Sequence, residues 1–229
     1  MEHESKFCPN CGEKSDIEKI TLNSIFENAL STITNMDKGF LYNLKTLSID
    51  PRKITIDYIL GRRKGILNPI SFLIISISIY LILENFLKIP REQTEPTAEA
   101  LYYKKGYAIG HAGGKIIFEY FKYFWIFSIL LYANATKLIF GKYHYLEHVA
   151  ICSFVIGQAT LIGLLGFLIF RQPLPLNPIL YLALFIITFF IFRQGKNKFD
   201  SLLLTFTTLI LFMIQVFLVI AVIGIVMIQ

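Results

Sequence analysis

The sequence predicts an all-α, polytopic helical membrane protein of about five transmembrane helices, preceded by amphipathic cytoplasmic pre-membrane helices. Three observations carry that prediction. Five separate apolar stretches, 70–87, 123–140, 149–170, 178–192 and 202–228, are each long enough or nearly long enough to cross a bilayer. A hydrocarbon core about 30 Å thick takes roughly 20 helical residues to cross, and a soluble chain of 229 residues would not bury five such runs. The last run, LLLTFTTLILFMIQVFLVIAVIGIVMI, holds no charge. Finally, only 17% of the residues are charged and 55% are hydrophobic, against the roughly 25% charged usual in soluble domains. No room is left for a large extramembrane domain.

Three regions follow from the order of residues: a leader over 1–19, a pre-membrane segment over 20–65, and a transmembrane bundle over 66–229. The leader is polar and mixed in charge, with no apolar core before Leu67, which predicts no cleavable signal peptide. The first span then serves as the insertion signal. Within the leader, Phe7-Cys8-Pro9-Asn10-Cys11-Gly12 is half of a zinc-ribbon knuckle. Two thiolates spaced this way share one tetrahedral ion, but zinc takes four ligands. The nearby candidate is His3, and Cys152 lies in an apolar span. Either two chains contribute one knuckle each, or Cys8 and Cys11 stay empty as exposed thiols. The expectation is no cofactor beyond a zinc ion at this incomplete knuckle.

In the pre-membrane segment, Leu22, Ile25, Phe26, Ala29, Leu30 and Ile33 repeat at helical spacing and form one apolar stripe. A second stripe of Phe40, Leu41, Leu44 and Leu47 follows Gly39. Asp50-Pro51 is a helix cap followed by proline at the first helical position, and Gly61 stops that short helix. Arg62, Arg63 and Lys64 stand directly behind it. Apolar stripes ending in cations beside a span predict helices in the cytoplasmic interface, with Arg62, Arg63 and Lys64 meeting lipid phosphates. The alternative is that these helices pack on the bundle and the cations only enforce topology.

In the bundle, Asn68-Pro69 and Asn177-Pro178 repeat the cap-and-proline signature where the first and fourth spans begin. The loop over 92–115 is polar, glycine-rich and long for a helix connection. Ser153/Gly157 and Ala159/Gly163 are small pairs that let the third span pack closely against a neighbour. Gln158 and Gln215 fall near the middles of the third and fifth spans. An amide in hydrocarbon must be hydrogen-bonded, so each is expected to make an intramembrane polar contact. Glu119 and Lys122 fall at the start of the second span, near the interface.

His144-Tyr145-Leu146-Glu147-His148 spells HxxEH, in which two histidines one turn apart can hold a metal and the glutamate can take a proton from bound water. A third ligand is not evident, and Lys142 adds positive charge beside it. The preferred reading of His144, Glu147 and His148 is a partly solvated cluster marking the membrane edge.

Orientation follows the distribution of Lys and Arg. With the N-terminus inside, the inner segments hold twelve and the outer ones six. That predicts a cytoplasmic N-terminus and an external C-terminus. The net charge of +6 is accounted for by these juxtamembrane cations, so nucleic acid is not an expected partner.

FCPNCGEK, ITLNSIFENAL, DKGFLYNLKTLSIDPRKITIDYILGRRKGILNPISFLII and YLEHVAICSFVIGQ together resemble a bacterial family of uncharacterised membrane proteins. The resemblance runs from Phe7 to about Gln158, with Asp37, Lys38, Gly39, Phe40, Asp50, Pro51, Tyr58, Gly61, Arg62, Lys64, Asn68 and Pro69 its most specific part. It implies a zinc-ribbon-like segment, a basic pre-membrane motif and several spans, but no activity. Members often carry two CxxC knuckles, whereas this chain shows one. Glu147-His148 resembles a family position and His144 does not.

The combined expectation is a multi-pass protein of the bacterial inner membrane with no enzymatic activity, acting as a scaffold or recruiting partners. Its expected partners are membrane lipids, further copies of itself, or other membrane proteins. One rival is a transporter of small or lipid-like substrates, with Gln158 and Gln215 in a polar midplane pocket. The other is an intramembrane metallohydrolase built on HxxEH.

Overall fold

A computed structural model describes residues 36–87, 120–193 and 197–228, and it is all-helical over them. The α-helices are α1 (Met36–Ile49), α2 (Pro51–Ile59), α3 (Pro69–Leu87), α4 (Phe121–Phe140), α5 (Tyr145–Phe170), α6 (Pro178–Phe192) and α7 (Lys198–Ile228), with a 3₁₀ turn at Leu174–Leu176. The leader with Cys8 and Cys11, the first apolar stripe and the loop over 92–115 lie outside the described residues.

All five apolar stretches form helices. Four of them, α3, α4, α5 and α7, are long and apolar enough to cross a membrane. The fourth stretch is the exception: α6 has 15 residues, about 22 Å at 1.5 Å per residue. Its ends are set locally. Asn177 Oδ1 accepts from the Ile179 backbone N–H at 3.0 Å, capping the start, and the helix runs out at Arg193. By contrast, α5 begins four residues before its apolar run, because Glu147 closes its first turn.

The centre of the bundle is α5, which packs on α3, α4 and α6, while α7 packs on α4 and α6. Every residue from His148 to Thr160 is buried. Close approach depends on small residues. A Cβ on Gly157 would stand 2.9 Å from the Phe72 ring and 3.2 Å from Leu73 Cα, so α3 lies directly against this face. One on Gly166 would meet Asn177 Oδ1 at 2.4 Å, and the Asn177 amide instead donates to the Gly163 carbonyl at 2.7 Å.

The hairpin of α1 and α2 is joined to the bundle through its own core. Leu47, Ile54, Tyr58, Leu67, Phe72, Ala150 and Phe154 form one buried apolar cluster, with Phe40 and Leu44 packed against it. The pre-membrane stripe therefore divides: Leu47 is buried and Phe40 and Leu44 are half-buried, while Leu41 points outward. Gly61 ends α2 as its position suggests. With φ at 85°, it donates to Tyr58 O at 3.2 Å while Arg62 N–H donates to Asp57 O at 2.9 Å, the paired bonds of a Schellman stop.

Candidate functional site

The end of the bundle that carries the hairpin is also where the described cations gather. The Arg52 guanidinium donates to Arg193 O, at the end of α6, at 2.8 Å. The Lys137 ammonium donates to Tyr143 O, and Lys142 lies over the Tyr143 ring at 5.3 Å. Phe192 stacks on both Phe140 and His148, which brings the ends of α4 and α6 level with the start of α5.

The basic turn is held in shape by α2. Arg63 Nε donates to Tyr58 O at 3.3 Å, and its guanidinium lies 5.0 Å from the Tyr58 ring centroid. That ring meets Phe154 edge-on at 5.6 Å. Burial lifts the Tyr58 phenol above its ordinary pKa, and the Arg63 charge pulls part of that rise back. Arg62 and Lys64 project outward, with Arg62 3.4 Å from the Asp57 carboxylate. An exposed pair of this kind adds at most about 1 kcal/mol. The three cations thus differ: Arg63 is partly built into the fold, and Arg62 and Lys64 are presented.

Gln158 and Gln215 are not brought to one another by hydrogen bonding. Gln158 Nε2 donates to Ser48 Oγ at 2.8 Å, which ties the middle of α5 to the end of α1 rather than to another span. The Ser48 hydroxyl in turn donates to Leu44 O at 2.8 Å. Gln215 lies on α7, the helix packed on α4 and α6. The Oε1 of each glutamine is buried with no hydrogen-bond partner among the described residues.

The HxxEH residues take three different roles. His144 is the exposed residue preceding α5, and its backbone N–H donates to Glu147 Oε2 at 2.7 Å, so the glutamate closes a helix start. His148 is fully buried. Its Nδ1 lies 3.0 Å from Thr136 Oγ1, which donates to Ala133 O and stands 3.5 Å from Cys152 Sγ. The hydroxyl and the imidazole share this bond, and which of them donates is set by the imidazole tautomer. Among the described residues no three His, Cys, Asp or Glu side chains are grouped to hold a metal.

Sequence reasoning missed Asn43, Thr136 and Thr188. Asn43 Nδ2 donates to Leu67 O at 2.9 Å while its Oδ1 accepts from Leu67 N–H at 3.1 Å. Thr188 shares a 2.6 Å hydrogen bond with Tyr132. No local signal marks these residues, since the partners of Asn43, Thr136 and Thr188 are 24, 12 and 56 positions away.

Residues 37–81 match the model of a family described as a protein of unknown function (DUF3667). The matched stretch takes in nearly all of α1, the whole of α2 with its basic turn, and most of α3. The likeness to an uncharacterised family thus rests on the hairpin and the first long apolar helix. No curated protein and no solved structure matches the chain.

Proposed function

We propose that this chain is a multi-pass component of the bacterial inner membrane, with a cytoplasmic N-terminus, that acts without enzymatic chemistry as a scaffold and recruits partners at its hairpin end. The observation that carries this reading is the filled interior. Tyr80, Tyr132, Phe72, Phe154, Phe167 and Phe212 are all fully buried. Two polar groups in this interior are paired between helices, Trp125 with Thr160 at 2.9 Å and Tyr132 with Thr188. Such packing supports a rigid support better than a solute path. The hairpin offers what a support needs on its surface: a folded, basic turn with Leu60, Arg62 and Lys64 exposed.

The transporter reading needs Gln158 and Gln215 to line one polar path. The bond from Gln158 to Ser48 directs that amide to the hairpin instead. The metallohydrolase reading needs His144 and His148 to converge, whereas one is exposed and the other buried against Thr136.

Photo-crosslinking side chains placed in cells at Leu60, Arg62 and Lys64 test the recruiting role, with Ile74 and Ile82 on the outer face of α3 as comparison. Discrete protein adducts at the turn are expected, with those at Leu60 lost when Arg62 and Lys64 are both replaced by glutamate. No adduct at the turn beyond those formed at Ile74 and Ile82 contradicts it.

A further inference from the structure

We infer that the outward face of α1, formed by Leu41, Tyr42, Lys45 and Ile49, is seated in the anionic leaflet of the membrane that holds the bundle; this rests on the membrane reading above. The four residues fall within about 100° of arc on a helix of 3.6 residues per turn, opposite the face that buries Asn43 and Leu47. Leu41 is 63% exposed and Ile49 73% exposed, an unusual display for apolar residues before the first long apolar helix.

Depth and charge identify the occupant. Phe40 packs on Phe72 at 5.4 Å between ring centroids, and Asn43 grips the Leu67 backbone. Both contacts hold α1 beside the start of α3, where that helix would enter the bilayer. Ser48 is bonded to Gln158, whose neighbour Gly157 packs on Phe72 and Leu73, so the end of α1 is also level with the start of α3. Lys45 in the middle of the stripe can lay its methylenes along lipid while its ammonium reaches the headgroups. Lys53, Arg62 and Lys64 add exposed positive charge on the same hairpin, which suits anionic phosphates. A helix with a mixed apolar and basic outer face lies in the interface plane.

The test uses the full chain in nanodiscs, with Cys8 and Cys11 replaced by serine and the buried Cys152 retained. Nitroxide labels at Leu41→Cys and Ile49→Cys are compared with controls at Ile74→Cys and Lys142→Cys by collision with oxygen and with a water-soluble nickel chelate. In discs containing phosphatidylglycerol, positions 41 and 49 are expected to resemble 74, favouring oxygen. Replacing the anionic lipid by phosphatidylcholine should lower the seated population, by about fivefold for each cation engaged. Nickel access at 41 and 49 with oxygen preference kept at 74 overturns the inference alone. Nickel access at 74 as well overturns the membrane reading itself. Low access to both reagents at 41 and 49 means that protein covers α1, and no lipid dependence removes the anionic headgroup; either result also overturns the proposal.

Discussion

Asn43 and Leu67 are joined in both directions, the asparagine amide giving a proton to the Leu67 carbonyl and its oxygen taking one from the Leu67 amide. Leu67 is thereby satisfied as though by a strand partner, in a buried turn where no helix can supply its bonds. This one side chain fixes α1 to the residue just before Asn68-Pro69, and so sets how the hairpin meets the bundle.

Asn43→Ala should therefore loosen the hairpin. Two buried backbone groups would lose their partner, at about 1–3 kcal/mol each. Hydrogen exchange is expected to rise over 36–67, while Trp125, the single tryptophan and buried between α4 and α5, keeps its emission. Unchanged exchange in the hairpin contradicts this role.

Three helical glycines should respond differently to alanine according to the space beside them. Gly157→Ala and Gly166→Ala each force a neighbour to move and should destabilise by about 1–3 kcal/mol. Gly39→Ala meets only ordinary contact, 3.4 Å from Leu67 Cβ, and should be neutral or stabilising by up to about 1 kcal/mol through helix propensity. Unfolding in mixed micelles of detergent and dodecyl sulfate gives the order.

Within HxxEH, the expected ranking is structural. Glu147→Ala removes a closing contact of α5 and should cost about 0.5–2 kcal/mol. His144→Ala alters an exposed side chain and should stay within about 0.5 kcal/mol of wild type. His148→Ala leaves a hole beside Phe192 and strips Thr136 of a partner, so it should cost the most. Thermal unfolding of the three variants compares them, and a loss for His144→Ala equal to that for His148→Ala would contradict the assignment.

The Tyr58 phenol gives a signed pH dependence. Its folded pKa is raised above the ordinary value of 10.0 by burial, so its neutral form is favoured in the fold. Stability from this group is fully present below about pH 10 and is lost as pH climbs through the folded pKa. Denaturation midpoints should be level from neutrality to about pH 10 and fall above it, with part of the fall absent in Tyr58→Phe.

Much of the architecture was legible in the sequence because it is written in local signals. Pro69 and Pro178 start their helices where the cap-and-proline pairs place them, and Gly61 stops α2. The small residues Gly157 and Gly163 do sit at close helix contacts. What the sequence could not show is pairing at a distance. Gln158 looks like a mid-span amide awaiting another span, yet its partner is Ser48, 110 residues earlier. Likewise, His148 reads as half of a metal motif until Thr136, on a different helix, is seen beside its ring. Hydropathy and the Asn177-Pro178 pair also placed α6 at 178–192, the bounds it has in the structure.

The central claim is that the bundle is a filled support rather than a conduit. Cysteine accessibility at Gln158 and Gln215 tests it most directly, in native membranes with Cys8 and Cys11 replaced by serine and the buried Cys152 as internal reference. Gln158→Cys and Gln215→Cys should each resist a membrane-impermeant maleimide from either side and react fully once dodecyl sulfate unfolds the protein. Rapid labelling of both in the folded protein, slowed by a bound solute, would mean a continuous water-filled path and would contradict the account.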